Sequence, residues 1–416
     1  MKGSIIFVEA SRTGAGEMTC AYARHQNLEV ILLTGDALRY PHGLTAHCHR
    51  IIETDTTSIA AMISALEATE AHHNIVAITT TSDFFVIQAA VLAKYYKLPA
   101  NPPDVVATLR NKHLMRTAIE KYHPHLNPLF QLTHSITDAL SFAERIGFPF
   151  IAKPINGNDS LHVVEISNKD GLEKYFQERD AWGDDASGQR FEDGILLEEL
   201  IGGEEFCLDI LKPLDQDFIV MGAFKKIISR GSGDRFVKIG ACFPSSDTDT
   251  STLSDHIIPL LKKIGFAVGA ADIDCKIIDG KVKILEINPR LVGDQMGSHM
   301  IELSTGQNPA HAVVDLAQGK PYKWSPTKNC GVAIHRLTLS DPGYFLGIEN
   351  EKEITSHSGV EKLLILGQPN TWYEPATSNQ GVVGSIIVSQ ETANQAFELA
   401  QKVADQARIS LVSSLI

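Results

Sequence analysis

Two short segments near the middle of the chain carry side chains that suit metal and phosphate chemistry. The first contains Asp272 and Asp274, and the second contains Glu286, Asn288 and Arg290. Because side chains alternate along a strand, each segment presents its oxygen-bearing side chains on one face. Carboxylate and carboxamide oxygens suit Mg²⁺, and a neighbouring arginine suits anionic oxygen. The spacing therefore predicts a site where Mg²⁺ bridges nucleotide phosphates, against the simpler alternative of a solvent-facing acidic hairpin.

Whether the two segments share a face depends on the turn that joins them. A two-residue turn at Asp279 and Gly280 would pair Asp274 with Leu285 and leave the acids on opposite faces. A three-residue loop would pair Asp274 with Glu286 instead. A shared metal site requires this second register, so we predict an odd-length loop or a bulge in the hairpin.

Two further segments contain residues that suit nucleotide binding. Lys153 ends a buried strand and precedes a polar, glycine-containing turn at 155–160, whose backbone N–H groups could cradle phosphate oxygens. Four carboxylates surround the Gly-Gly turn at 202–203, and one of them would accept ribose hydroxyls. Either segment alone is also compatible with a solvated lysine or an acidic hairpin. The basic segment 229–235 either closes over an anionic substrate or forms a hairpin end.

The composition argues against several classes of protein. The chain has 416 residues, of which 44% are hydrophobic and 21% charged, and its formal net charge is −13. This acidic balance argues against a general nucleic-acid binder, and no apolar run approaches the roughly 18 residues of a membrane span. The six cysteines lie far apart without a C-x-x-C pair, as in a reduced protein. We therefore expect a cytoplasmic protein that binds small molecules and contacts neither nucleic acid nor membrane.

Alternating strand and helix patterns surround these residues. They predict a doubly wound α/β domain with a parallel sheet near the N-terminus, followed by a region rich in strands. An amphipathic helix is predicted at 392–409. The fold class is therefore α/β and α+β.

The constellation as a whole resembles the ATP-grasp superfamily, specifically its carboxylate–amine ligases. The most specific match is the pair of segments 269–274 and 286–290, followed by 197–206 and then by Lys153 with its turn. The arrangement is similar to that of biotin carboxylase and of the bacterial L-amino-acid ligases. The resemblance implies an ATP-grasp fold in four parts: an N-terminal doubly wound pre-ATP-grasp domain (1–110), a small lid subdomain (111–195), a large subdomain with the metal site (196–325) and a small C-terminal lobe (326–416). The phosphate-covering loop departs from the pattern, because it has fewer glycines and includes Asp159.

The resemblance also implies a role for each candidate residue. Lys112 and Lys153 would contact ATP phosphates, and Arg290 would stabilise charge that develops on the reacting carboxylate. The adenine and ribose would be held by Glu198, Glu199, Ile201 and Glu205. One or two Mg²⁺ ions, or Mn²⁺, would be held by Asp274 (with Asp272 as the alternative first ligand), Glu286 and Asn288. The substrate pocket would be bordered by Arg290, Gly293 and Asp294.

The function implied is that of an ATP-dependent, ADP-forming ligase. ATP would phosphorylate a substrate carboxylate, and an amine, expected to be a second amino acid, would attack the acyl phosphate. One alternative keeps the ATP site but uses bicarbonate or formate, as in biotin carboxylase or purine-pathway enzymes. A second alternative is a non-catalytic nucleotide-binding protein. Small-molecule carboxylates and amines are the expected partners, and the C-terminal lobe would either shape the acceptor pocket or form a homodimer interface.

Overall fold

The computed structural model describes residues 3–158, 160–185, 187–230, 236–376 and 381–414. The basic segment expected at 229–235 therefore lies, from residue 231 onward, outside the described residues. Within these ranges, no helix combines the length and hydropathy that crossing a membrane requires.

The N-terminal part is a parallel four-stranded sheet in the order β3-β2-β1-β4. Alternate residues of its strands pack against helices on the two faces, so the strands are apolar on both sides. Strand β1 pairs with both β2 and β4, which opens a crevice between the carboxyl ends of β1 and β4. The predicted doubly wound domain is confirmed. Its elements are β1 (Ser4–Val8), α1 (Ala15–His25), β2 (Glu29–Thr34), α2 (His42–Thr45), β3 (Arg50–Glu53), α3 (Ile59–Ala68), β4 (Ile75–Thr79) and α4 (Val86–Tyr95).

Two helices lead into an antiparallel four-stranded sheet in the order β5-β8-β6-β7. The second helix begins at Lys112 because the side chain of Asn111 accepts hydrogen bonds from the N–H groups of His113 and Leu114. The elements are α5 (Pro103–Arg110), α6 (Lys112–Tyr122), β5 (Phe130–Thr133), α7 (Ile136–Ile146), β6 (Phe150–Pro154), β7 (Val164–Ile166), α8 (Lys169–Arg179) and β8 (Ile195–Glu199). Strand β8 lies across the boundary predicted between residues 195 and 196.

An antiparallel eight-stranded sheet, in the order β13-β12-β9-β10-β11-β14-β18-β16, forms the centre of the molecule. Alternate apolar residues such as Leu208 and Ile273 pack under helix α9, so their neighbours in sequence face the other way, toward the candidate site. The elements are β9 (Glu204–Lys212), β10 (Ile219–Arg230), β11 (Phe236–Phe243), α9 (Asp247–Ile264), β12 (Gly269–Ile278), β13 (Lys281–Asn288), α10 (Ile301–Thr305) and α11 (Pro309–Ala317).

The C-terminal part continues this sheet through β14, β16 and β18 and adds a three-stranded sheet in the order β17-β15-β19. Its elements are β14 (Gly331–Thr338), β15 (Gly343–Ile348), α12 (Glu351–Ser356), β16 (Val360–Ile365), β17 (Thr371–Tyr373), β18 (Val382–Gln390), α13 (Ala393–Ala404) and β19 (Ile409–Val412). The helix predicted at 392–409 was wrong at its end, because α13 stops at Ala404 and Ile409 pairs with β15 as a strand. The eight-stranded sheet crosses the boundary predicted at 325–326, and the four-part division stays a prediction.

Candidate active site

The hairpin of β12 and β13 combines a two-residue turn with a bulge. Asp279 and Gly280 both have positive φ, 49° and 71°, as a type I′ turn requires. The register then shifts after Asp274, so that Leu285 has no partner on β12 and Asp274 lies opposite Glu286. The predicted bulge is confirmed, and its effect is to return both acids to one face of the sheet.

Each acid of this row is paired with a lysine. Lys112 donates to Glu286 over 2.5 Å and to the carbonyl of Gly157 over 2.7 Å, while the ammonium of Lys226 lies 2.5 Å from Asp274. Burial raises the pKa of Glu286, but Lys112 outweighs it and brings the pKa to about 2. Burial lowers the pKa of Lys226, and Asp274 reverses this so that the pKa is raised. The row therefore presents ionised carboxylates and ammonium groups side by side, which suits a metal-bound phosphate.

Asp272 lies in the neighbouring row, where it contacts Arg290. It is buried between Asn288 on β13 and Asp209 on β9, and its Oδ2 accepts a hydrogen bond from Arg290 over 2.6 Å. Burial raises the pKa of Asp272 to about 6, against the lowering effect of Arg290. Asp274 lines the cleft between the four-stranded antiparallel sheet and the eight-stranded sheet, whereas Asp272 does not. The geometry therefore favours Asp274 as the first metal ligand, which is the choice that the sequence left open.

The oxygen ligands present fit Mg²⁺ that is held jointly by protein and phosphate. In the part of the chain that the structure describes, no group of three His, Cys, Asp or Glu side chains is arranged to hold a metal ion alone. Asp274 and Glu286 supply two adjacent carboxylates, and Mg²⁺ is commonly bound by one or two carboxylates with substrate phosphates and water. Asn288 lies one row away. These oxygen ligands are compatible with the predicted metal site, which stays a prediction.

Glu198 lies between two buried cations. Its Oε2 is 2.7 Å from the ammonium of Lys153, and its Oε1 is 2.7 Å from Nε of Arg116. Arg116 also donates to the carbonyls of Ile284 and Leu285, which ties helix α6 to strand β13. Burial lowers the pKa of Lys153 and raises that of Glu198, but the two adjacent cations bring the pKa of Glu198 below its usual value. Both oxygens of Glu198 are therefore engaged with cations, so its carboxylate holds Lys153 in place.

The turn between β8 and β9 places three predicted residues at the rim of the cleft. Glu199 accepts a hydrogen bond from the N–H of Leu129 over 3.1 Å, and the carbonyl of Ile201 accepts one from Lys276 over 2.9 Å. Glu205 lies opposite Lys276 on β12, and burial raises its pKa. The roles expected for these residues toward adenine and ribose stay predictions.

These residues line a cleft of about 1060 Å³ that is partly open to solvent, between the small sheet and the eight-stranded sheet. The cleft brings together eight predicted residues: Lys112, Lys153, Glu198, Glu199, Ile201, Glu205, Asp274 and Glu286. Four others lie outside its lining: Asn288, Arg290, Gly293 and Asp294. Three lysines that the sequence patterns did not indicate also line it: Lys226, Lys238 and Lys276. Lys226 and Lys276 lie opposite Glu205 on the two strands that flank β9. This register is seen in the structure and not in the sequence.

Asp294 and Arg290 lie outside the row formed by Asp274 and Glu286, which is called the metal row below. Asp294 has a left-handed backbone with φ 55°, and its carboxylate contacts the ammonium of Lys238 over 2.5 Å and the guanidinium of Arg336. Burial raises the pKa of Asp294, and the two cations outweigh this and lower it well below its usual range. The side chains of Lys238 and Arg336 are 9% and 4% exposed and that of Asp294 is 45% exposed, so the open group is the anion. Gly293 has no neighbouring atom that would meet a Cβ.

Two segments of the chain match known domain families. Residues 112–294 match the ATP-grasp domain, and residues 336–412 match the L-amino acid ligase C-terminal domain 2. The first segment contains every predicted site residue, and the second begins at Arg336. The ATP-grasp fold expected from the sequence is therefore confirmed.

Relatives of known sequence or structure agree with these matches. The chain is 20% identical to the uncharacterized protein y4rH of Sinorhizobium fredii, over 97% of this chain and 83% of that protein. It is 25% identical over 56% of its length to the carbamoyl phosphate synthase large chain of Rubrobacter xylanophilus, but spans only 21% of that protein. The L-amino acid ligase of Bacillus licheniformis has the same fold, with a TM-score of 0.81 at 16% identity, over 99% of this chain and 100% of that one. Residues 112–294 therefore form an ATP-grasp domain and residues 336–412 an L-amino acid ligase C-terminal domain, in a chain whose fold is that of the Bacillus licheniformis ligase.

Proposed function

We propose that the protein joins one amino acid to the amine of another through an acyl phosphate made from ATP. The observation that carries this proposal is that Lys238, which lines the cleft with Asp274 and Glu286, also holds Asp294 together with Arg336 of the L-amino acid ligase C-terminal domain. Asp272, in the row next to Asp274 and Glu286, holds Arg290. A nucleotide end, a reacting centre and an amino-acid end would then follow one another.

ATP would lie in the cleft with its phosphates at the two lysines. Lys153 and Lys112 supply positive charge, and Lys112 also holds the carbonyl of Gly157 in the phosphate-covering loop. The carboxylate of Glu205, which lines the cleft, would accept the ribose hydroxyls. Mg²⁺ would be held by Asp274 and Glu286, with Asn288 as a further oxygen ligand, and when bound it neutralises charge on the β- and γ-phosphate oxygens.

The first step is phosphoryl transfer to the donor amino acid. An oxygen of its carboxylate attacks the γ-phosphorus, the bond to the bridging oxygen breaks, and ADP leaves. Arg290 is held as a cation beside the row and would donate to the other carboxylate oxygen. Asp294, the exposed anion of its cluster, would bind the α-ammonium of the same amino acid, which fixes the donor between these two residues.

The second step forms the amide bond. The neutral amine of the acceptor attacks the acyl carbon, the bond to the phosphate oxygen breaks, and the proton that the amine loses leaves on the phosphate as HPO₄²⁻. Charge develops on the carbonyl oxygen as the tetrahedral intermediate forms, where Arg290 would stabilise it. The phosphate leaves with the positive charge of Lys112 and Lys226 nearby.

The experiment is an assay of ADP and phosphate release with Mg·ATP against single and paired amino acids, with products identified by mass. We expect turnover that needs two amino acids and a product heavier than either by the other's mass minus water. The Glu286→Gln variant is the background control, and Asp279→Asn, in the exposed turn of the same hairpin, is the matched control that keeps activity. Turnover that depends on bicarbonate or formate would replace the proposal with the carboxylase or purine-type alternative. ATP bound without turnover on any pair would contradict it.

A further inference from the structure

Asp83 belongs to the N-terminal domain but lies at the reacting end of the candidate site. It follows β4 at the carboxyl edge of the parallel sheet, beside the crevice between β1 and β4. The loop after β1 is tied to this segment, because the N–H of Ser11 donates to Oγ1 of Thr81 over 2.9 Å. The Asp83 side chain is only 10% exposed, so its charge needs partners within the protein.

The partners of Asp83 are two arginines from other parts of the chain. Its Oδ1 lies 3.3 Å from Nε of Arg290, and its Oδ2 lies 3.8 Å from Nε of Arg110, the last residue of α5. Arg290 uses Nη1 to donate to Asp272 over 2.6 Å and to the carbonyl of Leu291 over 3.0 Å. Among the residues that the structure describes, Nη2 of Arg290 has no hydrogen-bond partner. Asp272 thus accepts a hydrogen bond from Nη1, Oδ1 of Asp83 lies at ion-pair distance from Nε without a hydrogen bond, and Nη2 is left open.

Arg110 adds a second positive charge to the same cluster. Its side chain is buried, and its Nη1 has no hydrogen-bond partner among the described residues. Burial raises the pKa of Glu286, and Lys112, Lys153 and Arg110 together lower it. Asp83 is therefore an anion between the guanidinium groups of Arg110 and Arg290, and Arg290 also contacts Asp272. Without this anion, the two cations would repel each other across a poorly solvated space.

We infer that Asp83 is a positioning residue for Arg290: its carboxylate, supplied by the N-terminal domain, holds the guanidinium so that Nη2 faces the transferred phosphoryl group and the acyl oxygen. The inference rests on the role proposed above for Arg290. It makes the N-terminal domain a structural part of the reacting centre. A change at Asp83 alters the direction of a charge-assisted hydrogen bond without removing any group that touches substrate, and small misplacements of such groups reduce rates by up to ~100-fold.

The test compares Asp83→Asn with the wild-type protein in binding Mg·ADP, alone and with aluminium fluoride as a stand-in for the phosphoryl group in transfer. We expect an unchanged dissociation constant for Mg·ADP and a loss of about 10-fold or more in affinity for the fluoroaluminate complex. The turnover assay should show a matching fall in kcat with little change in KM for ATP. Asp83→Glu keeps the charge and should recover most of the loss. Asp55→Asn is the matched control, since Asp55 lies at the same sheet edge and its side chain accepts hydrogen bonds from Thr57.

Equal affinity of Asp83→Asn and wild type for the fluoroaluminate complex would overturn the inference. So would an equal loss for Mg·ADP alone, because Asp83 would then act through the fold. If Asp83→Asn does not fold, the comparison is made with Asp83→Ser, which also lacks the charge, and an affinity identical to wild type in every state then counts against the inference. The binding measurement needs no amino acid, so it gives its answer even if the ligase assay contradicts the proposed function.

Discussion

Three acidic side chains of the cleft form ion pairs with basic side chains of the protein. Glu198 is held by Lys153 and Arg116, Glu286 by Lys112, and Asp274 by Lys226. Paired in this way, buried charges avoid the large desolvation penalty of an isolated ion. The same lysines remain able to neutralise phosphate oxygens. Removing one member of a pair should therefore affect stability and nucleotide binding together.

The Glu198→Gln variant tests this compensation at the most buried pair. The change leaves Lys153 and Arg116 without an anionic partner, and breaking a buried ion pair destabilises by ~3–5 kcal/mol. We expect that loss in the free energy of unfolding by urea, with weaker binding of ATP by calorimetry. The neighbouring Glu199→Gln is the matched control, because an amide oxygen can still accept the hydrogen bond from Leu129. Equal stabilities of the two variants would contradict this account.

At the scale of elements, the turn between β8 and β9 sets the position of Glu199, Ile201 and Glu205, the residues proposed to hold adenine and ribose. Gly203 has φ 84°, and a Cβ there would lie 2.3 Å from the carbonyl oxygen of Ile277 on β12. Gly202 is not in the left-handed region, and its nearest neighbour would be 3.7 Å away. The turn therefore requires glycine at the second position alone, because strand β12 passes directly beneath it.

Gly203→Ala and Gly202→Ala should differ sharply in consequence. We expect Gly203→Ala to destabilise by ~1–3 kcal/mol or more, since backbone strain adds to a backbone clash, and to weaken ATP binding. Gly202→Ala should change the free energy of unfolding by no more than about 0.5 kcal/mol. Thermal unfolding and ATP titration of both variants measure the difference. An unperturbed Gly203→Ala would mean that the turn adopts another conformation.

At the scale of the whole molecule, distant segments are joined by specific contacts. Asn101, before α5, accepts from the N–H groups of Ala267 and Val268 and donates to the Val268 carbonyl, all within 3.1 Å. Tyr22 of the N-terminal domain stacks on His311 with ring centres 4.0 Å apart. The C-terminal strands extend the sheet that carries the metal row. The parts predicted from the sequence are therefore packed together, with one sheet crossing two of them.

Truncation before β14 tests this continuity. Removal of residues 331–416 would leave β11 as an open sheet edge and uncover the apolar cluster that Val332 and Ile334 complete. We expect the shortened chain to aggregate, whereas removal of residues 413–416 should leave soluble protein. Soluble yield and near-ultraviolet circular dichroism measure the outcome. A soluble, ATP-binding fragment ending at residue 330 would show that the C-terminal part is a separable lobe.

The sequence by itself determined the local geometry of the site. Alternation along strands placed Asp274 and Glu286 on their faces, and the demand for a shared face predicted the bulge that the hairpin contains. Periodicity and turn residues predicted the doubly wound domain. These features follow from interactions between residues that are close in the chain, and for that reason residue order alone encodes them.

Only the tertiary structure decided which charges meet. Lys238, Asp294 and Arg336 come from three separate segments, and Asp83 reaches Arg290 from another domain. No spacing in the sequence specifies such pairs, because the packing of whole elements determines them. The same reason explains the end of α13: the helical pattern runs to Ile409, but the helix ends at Ala404 and Ile409 pairs with β15 as the first residue of β19. Tertiary hydrogen bonds overrode local preference there.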